Sequence, residues 1–564
     1  MSKERTTYVA WRFYLILSFI ALIVAGLVWR VFDLAVLNQH FLRHQGDERV
    51  LRMVSTPSFR GMIMDRNGFP LAVSTTVYSV WVNPQEFSPL TEDLSALSRL
   101  LGLKSKDIIN SAKQNTKKHR EFVYLKRAIS PVLANQVKVL NIPGTYLQQE
   151  YKRYYPEGEI TSHIIGFTNI DDQGQEGLEL GYNQWLQGEQ GKKWVIKDRI
   201  GRVISDVQTI QDEKPGSDLV LSIDRRIQYL AYRELLSGVI QNQAASGTAI
   251  VMDAQTGEIL AMVNVPSFNP NNRQGVKSDA FRNRAATDVF EPGSTIKAFT
   301  VASALESGVI TPDSMIDTSP GWMRVGRNVV KDEHGNNGIM SISQILQKSS
   351  NMGAAKIVLA LPPNQLWSML HRVGFGENTG VGFPGEQNGV LIKHNPWGQF
   401  ILATLSFGYG MSVTPLQMTR AYSVLANHGV KLPLSLLKLE GVPKGEQIID
   451  HKIAEQMLSL LESVFAKGGT AQTISIPGYR VGGKTGTSKM VGEGGYQKNH
   501  YTSSVVGIAP LSNPRIVITV VIHDPQGKNY YGGLVSGPVF QKIMEGTLRM
   551  LDVPPDASDF ETNL

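Results

Sequence analysis

The sequence predicts an α/β protein made of two successive domains behind one apolar N-terminal helix. An uncharged apolar run lies near the N-terminus, and short β-like runs with turn signals follow from about Thr56 to Gly216. Beyond Gly216, helical stretches lie between strands at both ends of the segment. Strands at both ends of a domain with helices between them predict a central, mostly antiparallel sheet covered by helices.

Composition limits the chemistry that the chain can perform. Its 564 residues suit two or three domains, and 42% hydrophobic with 19% charged residues is typical of a globular protein. The chain has no cysteine, which excludes disulfides, thiolate zinc sites and cysteine nucleophiles. A formal net charge of +7 suits a membrane surface or an anionic polymer. Nucleic acid is not expected as a partner, because no dense basic block with interleaved aromatic residues occurs.

The N-terminal apolar run predicts a membrane anchor. Residues 13–29 contain no charged side chain and would span roughly 25 Å as a helix, which residues 31–37 can lengthen. Lys3, Arg5 and Arg12 precede the run, so the positive-inside rule predicts a cytoplasmic N-terminus with the rest of the chain outside the cytoplasm. A cleaved signal peptide is the alternative. We expect an uncleaved anchor, because no small-residue cleavage site precedes LVWRVFDLAVL.

Composition shifts and turn signals divide the chain into six predicted segments. They are a cytoplasmic tail (1–12), an anchor helix (13–37), a juxtamembrane linker (38–55), an N-terminal domain (56–215), a C-terminal domain (216–553) and a C-terminal tail (554–564). His40 and His44 in the linker could share a helix face, but without a third ligand we expect a solvated face and no metal. The N-terminal domain carries no cluster that we expect to be catalytic.

Periodicity predicts the elements of the C-terminal domain in order. A strand over 218–224 precedes an amphipathic helix over 225–240, and two apolar runs around the turn Gln255-Thr256-Gly257 predict a hairpin. Helical stretches follow from Ser294 to about Leu461. Strands over 502–510 and 515–524 and a helix over 536–551 complete the domain.

Ser294 and Lys297 are the best candidates for a nucleophile and its base. Pro292 and Gly293 break the preceding segment, so Ser294 is predicted to begin an alanine-rich helix with Lys297 on the same face. Free N–H groups at a helix N-terminus favour a developing oxyanion. A neutral Lys297 can take the serine proton if burial and a second cation, for which Lys484 is the candidate, lower its pKa.

Two further motifs make this pair far more specific. Ser349 and Asn351 lie on a predicted loop between helices, where a hydroxyl can relay a proton and an amide can hold a carbonyl. Lys484-Thr485-Gly486-Thr487 lies on a predicted strand that can pair with an extended peptide. Each motif alone is common, and a second S-x-x-K occurs at 435–438. The three in this order are the signature of serine enzymes that react with penicillins.

The third motif also fits a nucleotide-binding pattern, G-x4-G-K-[ST], from Gly478 to Thr485. A P-loop requires a strand before it and a helix after it. Pro477 interrupts the approach, and a glycine-rich segment without helical period follows. We therefore interpret the P-loop match as a coincidence.

Longer stretches of the chain resemble a known family. RNRAATDVFEPGSTIK, GKTGTS and YYGGLVSGPVF are similar to the transpeptidase domain of class B penicillin-binding proteins, over about residues 216–551. RGMIMDRNGFPLA and the region from RYYPEGEITSHIIGF to GQEGLELGYNQWLQGEQG are similar to that class's N-terminal pedestal, a dimerisation-type domain. The resemblance implies a penicillin-binding/β-lactamase-like fold. With a single anchor, the monofunctional cell-division (septal) D,D-transpeptidase is the nearest type.

The resemblance also implies a reaction. The D-Ala-D-Ala end of a peptidoglycan stem peptide would acylate Ser294 with loss of D-Ala, and an amine of a neighbouring stem peptide would resolve the acyl-enzyme. β-Lactams would acylate the same serine. The implied roles are Lys297 as base and Ser349 and Asn351 as second-motif residues. Lys484, Thr485 and Thr487 would bind the substrate carboxylate, with Gly486 as a further substrate-binding residue, and the backbone N–H groups of Ser294 and Thr487 would form the oxyanion hole.

The family context implies partners and a location as well. A membrane-embedded glycan polymerase and other division proteins would be partners, and the enzyme would lie in the bacterial cytoplasmic membrane with its catalytic domain in the periplasm. No cofactor and no metal are implied. The principal division enzyme, a paralogue and an elongation-type relative stay open as alternatives, and so does the identity of the acceptor amine.

Other interpretations of the same residues are disfavoured. A class A β-lactamase would carry Glu followed four residues later by Asn, and no such pair lies between Asn351 and Lys484. A scaffold without activity is disfavoured because all three motifs are intact.

Three further clusters call for separate interpretations. His523 and Asp524 are neighbours on a strand and should point to opposite faces, which argues against a Ser-His-Asp triad. Asp332-Glu333-His334 is interpreted as a polar turn rather than a metal site. Tyr530 and Tyr531 are predicted either to form an aromatic wall of the substrate cleft or to pack in the core.

Overall fold

The computed structural model describes residues 7–40, 51–118, 120–197, 203–333 and 335–557. Lys3, Arg5, His44, His334 and the last residues of the predicted C-terminal tail lie outside the described residues. The chain divides into two compact units. One contains Met1–Phe59, Thr76–Tyr151 and Gly188–Pro215, and the other contains Arg60–Thr75, Lys152–Gln187 and Gly216–Leu564.

The strands of the described residues are numbered in chain order. They are β1 (Leu51–Thr56), β2 (Ile63–Met64), β3 (Pro70–Val82), β4 (Val123–Ile129), β5 (Thr145–Tyr154), β6 (Phe167–Thr168), β7 (Gly174–Glu176), β8 (Gly191–Lys197), β9 (Val203–Gln211), β10 (Leu219–Val220), β11 (Ser246–Asp253), β12 (Ile259–Val265), β13 (Met315–Asp317), β14 (Trp322–Val325), β15 (Asn328–Lys331), β16 (Ile339–Ser341), β17 (Val430–Lys431), β18 (Glu446–Gln447), β19 (Gly482–Gly492), β20 (Gly495–Ala509) and β21 (Ile516–His523).

The α-helices of the described residues follow the same convention. They are α1 (Thr7–Phe32), α2 (Thr91–Leu101), α3 (Ser105–Thr116), α4 (Pro131–Val139), α5 (Ser162–Ile165), α6 (Gly177–Gly181), α7 (Asn183–Leu186), α8 (Arg225–Gln241), α9 (Arg284–Thr287), α10 (Lys297–Glu306), α11 (Ile342–Gln347), α12 (Asn351–Leu359), α13 (Gln365–Arg372), α14 (Gln399–Leu405), α15 (Pro415–Ala426), α16 (His451–Glu462), α17 (Gly532–Val535) and α18 (Gly537–Met550).

Helix α1 continues as a π-helical turn, Asp33–Leu37. The segment Trp11–Leu37 is long and apolar enough to cross a membrane, and none of its most apolar window is buried against the rest of the chain. This matches the predicted span of 13–37 in length and composition.

The first unit contains a three-stranded antiparallel sheet and a small helical core. Strand β8 lies between β1 and β9, and β4 pairs antiparallel with β3. Apolar side chains of α2 and α4, among them Leu97, Leu101 and Val137, pack with Val80 and Ile129. Helix α4 begins with proline in its first turn, and the preceding Ser130 hydroxyl accepts a hydrogen bond from a backbone N–H of that turn.

The second unit is built on a five-stranded antiparallel sheet in the order β12-β11-β21-β20-β19. Every residue of β11 and β12 is buried, as helices and further segments cover both strands. Helix α8 packs on β11 and β12 and against α18, while α15 packs on β11 and β21. The mixed α/β class with a central antiparallel sheet is therefore confirmed, and β19 forms an edge of the sheet.

Residues 60–75 and 152–187 share the core of this unit. Ile63, Ile164 and Leu178 pack with Ile250 and Met252 of β11. The segments that resemble the pedestal thus contribute directly to the support of the central sheet.

A buried ion cluster stabilises these segments. The Nε atoms of Arg60 and Arg153 each lie 2.6 Å from one oxygen of the Glu179 carboxylate, and all three side chains are almost fully buried. A buried carboxylate requires such paired donors, because an uncompensated charge in an apolar interior is costly.

The predicted secondary structure agrees with the structure where periodicity is strong. The hairpin of β11 and β12, helix α8, strands β20 and β21 and helix α18 are confirmed. The strand predicted over 218–224 is wrong in length, since β10 spans Leu219–Val220, a single bridge joins Leu221 to Leu437, and the chain then turns into the N-cap Asp224 of α8.

Candidate active site

Ser294 lies in a short 3₁₀ turn, Gly293–Ile296, which leads directly into α10. The α-helix predicted to begin at Ser294 therefore begins three residues later. The turn is held in place at both sides: the N–H of Gly293 donates to the carbonyl of Gly408 at 3.2 Å, and the Tyr422 hydroxyl donates to the Thr295 carbonyl at 2.7 Å. Ser294 is half-exposed at the end of this fixed turn.

The Lys297 amine is surrounded by oxygen atoms from the first two motifs. Its Nζ lies 3.0 Å from Ser294 Oγ, 2.5 Å from the carbonyl oxygen of Ser349 and 2.7 Å from Asn351 Oδ1. The carbonyl and the amide oxygen can only accept, so they take the two N–H groups of a neutral amine. The lone pair of that amine is then left for the hydroxyl proton of Ser294, which is the geometry of a general base.

The electrostatics favour the neutral form of Lys297. Burial first, and the positive charge of Lys484 second, hold the pKa of Lys297 well below its ordinary value, while the negative charges of Asp332 and Glu333 act in the opposite direction. Burial lowers the pKa of Lys484 to about 7. Both lysine side chains are completely buried.

The second motif lies on the turn between α11 and α12, as the sequence predicts. Ser349 has a φ of +60°, and Asn351 is the first residue of α12. The Ser349 hydroxyl lies 3.2 Å from Lys297 Nζ and 3.1 Å from Lys484 Nζ, so it connects the two lysines. The structure thus brings five of the predicted side chains together around one cleft.

Asp332 supports this turn and was missed as a site residue. Its buried carboxylate accepts the Ser350 hydroxyl at 2.8 Å and the N–H of Met352 at 2.9 Å. The Ser350 hydroxyl in turn caps α12 by accepting the N–H of Gly353. The polar-turn interpretation of Asp332 contained no signal of its contacts with Ser350 and Met352, because these residues lie 18 and 20 positions further along the chain.

The third motif lies on β19 rather than on a loop before a helix. Lys484 points to Ser349, while the Thr485 hydroxyl donates to Thr470 Oγ1 at 2.7 Å. The Thr487 hydroxyl accepts the N–H of Gly532 at 3.0 Å. Because a strand occupies 482–492 and β20 follows it, the P-loop interpretation is excluded.

Gly486 allows β19 to approach the serine turn. A Cβ atom at this position would lie 2.4 Å from Ser504 Oγ, 2.9 Å from the Pro292 carbonyl oxygen and 3.0 Å from Thr295 Cγ2. No side chain fits there, so steric exclusion explains why the third position of the K-T-G motif is a glycine in this fold.

Tyr530 and Tyr531 are half-buried and stack on each other beside β19. The Tyr530 ring lies 4.2 Å from that of Tyr501 and 4.5 Å from that of Tyr531. The Tyr531 hydroxyl lies 3.4 Å from a carboxylate oxygen of Glu333. The next residue along the chain, Gly532, contacts Thr487, so the stack is adjacent to the third motif.

Two alternative sets of catalytic residues that the sequence offers do not come together in the structure. Ser435 bonds the carbonyl of Leu437, whereas Lys438 reaches the carbonyl of Arg66, so the second S-x-x-K does not form a pair.

The neighbouring His523 and Asp524 also turn apart. His523 Nδ1 contacts Thr502, and the Asp524 carboxylate contacts His500 Nδ1 at 2.7 Å. No Ser-His-Asp triad forms from these residues.

Comparison with known proteins covers nearly the whole chain. Residues 247–545 match the family described as penicillin binding protein transpeptidase domain, and residues 55–221 match the penicillin-binding protein dimerisation domain. The chain is 42% identical over 560 residues to the peptidoglycan D,D-transpeptidase FtsI of Escherichia coli (strain K12), covering 98% of this chain and 94% of that protein.

Solved structures of similar proteins also include a peptidoglycan synthetase and a penicillin-binding protein. The crystal structure of a peptidoglycan synthetase from Bifidobacterium adolescentis superimposes with a TM-score of 0.72 at 27% identity, covering 90% of this chain and 98% of that one. The apo TP domain of penicillin-binding protein 3 from Burkholderia pseudomallei gives a TM-score of 0.55 at 39% identity, covering 60% of this chain and 98% of that one.

The fold and the three assembled motifs place the molecule among the serine enzymes that react with penicillins. The two matched domains and the full-length identity go further, and the chain belongs to the class B penicillin-binding proteins. The resemblance deduced from the sequence is confirmed.

Proposed function

We propose that this protein is a serine D,D-transpeptidase that cross-links peptidoglycan stem peptides of the septal cell wall, and that β-lactams inhibit it by acylating Ser294. One observation supports this most strongly: the buried Lys297 Nζ lies 3.0 Å from Ser294 Oγ, 2.5 Å from the Ser349 carbonyl oxygen and 2.7 Å from Asn351 Oδ1. The names of the full-length relatives point to the same reaction.

This geometry supports the following acylation step. Lys297 takes the Ser294 proton as Oγ attacks the carbonyl carbon of the penultimate D-Ala, and the backbone N–H groups of Ser294 and Thr487 stabilise the oxyanion. The C–N bond to the terminal D-Ala then breaks. The proton held by Lys297 reaches the leaving amine through the Ser349 hydroxyl, which contacts both lysines.

The second half-reaction reverses these proton transfers. The amine of a neighbouring stem peptide attacks the ester carbonyl, its proton passes to the Lys297 system, and Ser294 Oγ leaves and regains a proton. We propose that Lys484, Thr485 and Thr487, with Gly486 between them, bind the terminal carboxylate of the donor. Tyr530 and Tyr531 would form a wall of the same cleft, which their half-buried stack beside β19 supports.

We propose that α1 anchors the enzyme in the cytoplasmic membrane with the N-terminus in the cytoplasm, and that residues 56–215 act as pedestal for a catalytic domain of residues 216–553. The anchor and the pedestal would contact a membrane-embedded glycan polymerase and other division proteins. Replacing the anchor by an unrelated apolar helix should preserve penicillin binding but impair division in cells. Full complementation by the replaced protein would refute a role of the anchor in these contacts.

A reconstituted reaction tests the transpeptidase itself. The full-length protein in detergent is incubated with a stem-peptide thioester donor and an amine acceptor, alongside Ser294→Ala. We expect an acceptor-linked peptide that the variant does not form. Donor cleavage by water without any aminolysis product would instead identify a hydrolase.

A further inference from the structure

Glu333 occupies a position between the second and third motifs. It follows Asp332, whose carboxylate is fixed to the second-motif turn, and the carbonyl of Lys331 just before it accepts the Asn351 side-chain amide at 3.2 Å. On the other side, a Glu333 carboxylate oxygen lies 3.4 Å from the Tyr531 hydroxyl, next to the Gly532 contact with β19. Its side chain therefore lies between the second-motif turn and the tyrosine stack beside the third motif.

Glu333 differs from Asp332 in being available to a ligand. The Asp332 carboxylate is buried and occupied by a hydroxyl and a backbone N–H, whereas Glu333 is exposed. The charge of Glu333 acts on Lys297, Tyr409 and Tyr531, raising the pKa of each, which agrees with a carboxylate that faces the cleft.

A carboxylate at this place has a specific use in the second half-reaction. The donor carries a carboxylate, which the positive charge of Lys484 suits, while the acceptor arrives as an ammonium ion, which that charge repels. We propose that Glu333 is the acceptor-binding residue that attracts the ammonium group of the incoming stem peptide to the acyl-enzyme. This inference rests on the proposed transpeptidase function and adds a binding residue to it.

Loss of the Glu333 charge should affect acceptor binding and acylation differently. Within the described residues Glu333 makes no hydrogen bond to Ser294 or to the side chains of β19, so its removal should affect acceptor binding more than acylation. Since its charge raises the pKa of Lys297, a Glu333→Gln enzyme should keep Lys297 at least as neutral as before. Penicillin acylation should therefore proceed at an unchanged or slightly higher rate.

The test compares the two half-reactions in the full-length protein in detergent. A thioester donor forms the acyl-enzyme, and a synthetic stem tripeptide with a free side-chain amine serves as acceptor, while hydrolysis by water is followed in the same tube. For Glu333→Gln we expect the acceptor KM to rise roughly 2- to 5-fold, as for the loss of one exposed ion pair, with the hydrolysis rate unchanged. Glu333→Lys should raise it further.

Two matched variants exclude simpler explanations. Glu493→Gln removes the same charge from the exposed β19–β20 turn and should leave the acceptor KM unchanged. Tyr531→Phe removes the hydroxyl contact but keeps the carboxylate, so its effect on the acceptor KM should be smaller than that of Glu333→Gln.

Two results would overturn the inference while leaving the transpeptidase function intact. One is an unchanged acceptor KM in Glu333→Gln. The other is an equal loss of penicillin acylation in Glu333→Gln and Tyr531→Phe, which would indicate a structural latch. A wild-type protein that acylates but never transfers to the amine would refute the proposed function, and this inference with it.

Discussion

Replacing Lys484 by methionine should move the acid limb of the Ser294 acylation rate to higher pH. Acylation requires neutral Lys297. Burial is the largest cause of the lowered pKa of Lys297, and the positive charge of Lys484 is the second. Methionine fills similar space in the buried site but carries no charge. The pKa of Lys297 then rises, and a higher pH is needed to deprotonate it.

The size of the effect follows from the position of Ser349. Its hydroxyl oxygen lies 3.2 Å from Lys297 Nζ and 3.1 Å from Lys484 Nζ, so the two nitrogens are at most about 6 Å apart. Two unit charges at about 6 Å repel each other by about 3 kcal/mol at an effective dielectric constant of about 20. At about 1.4 kcal/mol per pH unit, the acid midpoint should rise by roughly two pH units. The full displacement applies below pH 7, where Lys484, with a pKa of about 7, is protonated.

The assay is the second-order rate of acylation by a fluorescent penicillin, measured on full-length protein from about pH 5 to about pH 9.5. Only the midpoint is compared, because Lys484→Met also removes a proposed partner of the substrate carboxylate and lowers the rate at every pH. Lys489→Met, an exposed lysine of the same strand, serves as the control. A midpoint that stays in place or moves to lower pH would refute the assignment of Lys297 as the base under the influence of Lys484.

Three further changes test the support of the site and the fold. Asp332→Asn should loosen the second-motif turn and slow penicillin acylation by about 10-fold or more, measured in the same assay. Burial lowers the pKa of both His163 and His523 from 6.5 to about 4. Between these pH values the unfolded chain binds more protons than the folded chain. The folded state therefore loses stability as the pH falls from 6.5 toward 4. In denaturant titrations, the free energy of unfolding should fall by at most roughly 3 kcal/mol per histidine over this pH range. His523→Gln should make the free energy of unfolding less dependent on pH. Arg60→Met should destabilise the fold by about 3–5 kcal/mol because it leaves the buried Glu179 undercompensated, and Glu179→Gln in the same chain should recover part of the lost thermal stability.

Local spacing explains why much of the site could be predicted. Ser294 and Lys297 are separated by one helical turn, so their contact is fixed by backbone geometry even though the turn begins as 3₁₀ rather than α. The hairpin of β11 and β12 was predictable for the same reason, because its two apolar runs surround a tight turn. In both cases the residues that determine the structure are neighbours in the chain.

The remaining features depend on contacts between distant segments. Asp332 becomes a site residue only because the fold brings it to Ser350, and the Arg60–Glu179 pair forms across 119 positions. Periodicity and motif spacing carry no information about such pairs. The same limit applies to the core that residues 60–75 and 152–187 share with β11, because these segments are far apart in the chain.

The most direct test of the account is the mass of the intact protein after exposure to a penicillin. Full-length protein in detergent is incubated with the antibiotic beside Ser294→Ala, and both are weighed over time. We predict an adduct of one penicillin that persists in the wild type and is absent from the variant. An adduct that also forms on Ser294→Ala, or rapid penicillin turnover without accumulation of any adduct, would contradict a slowly deacylating Ser294 acyl-enzyme.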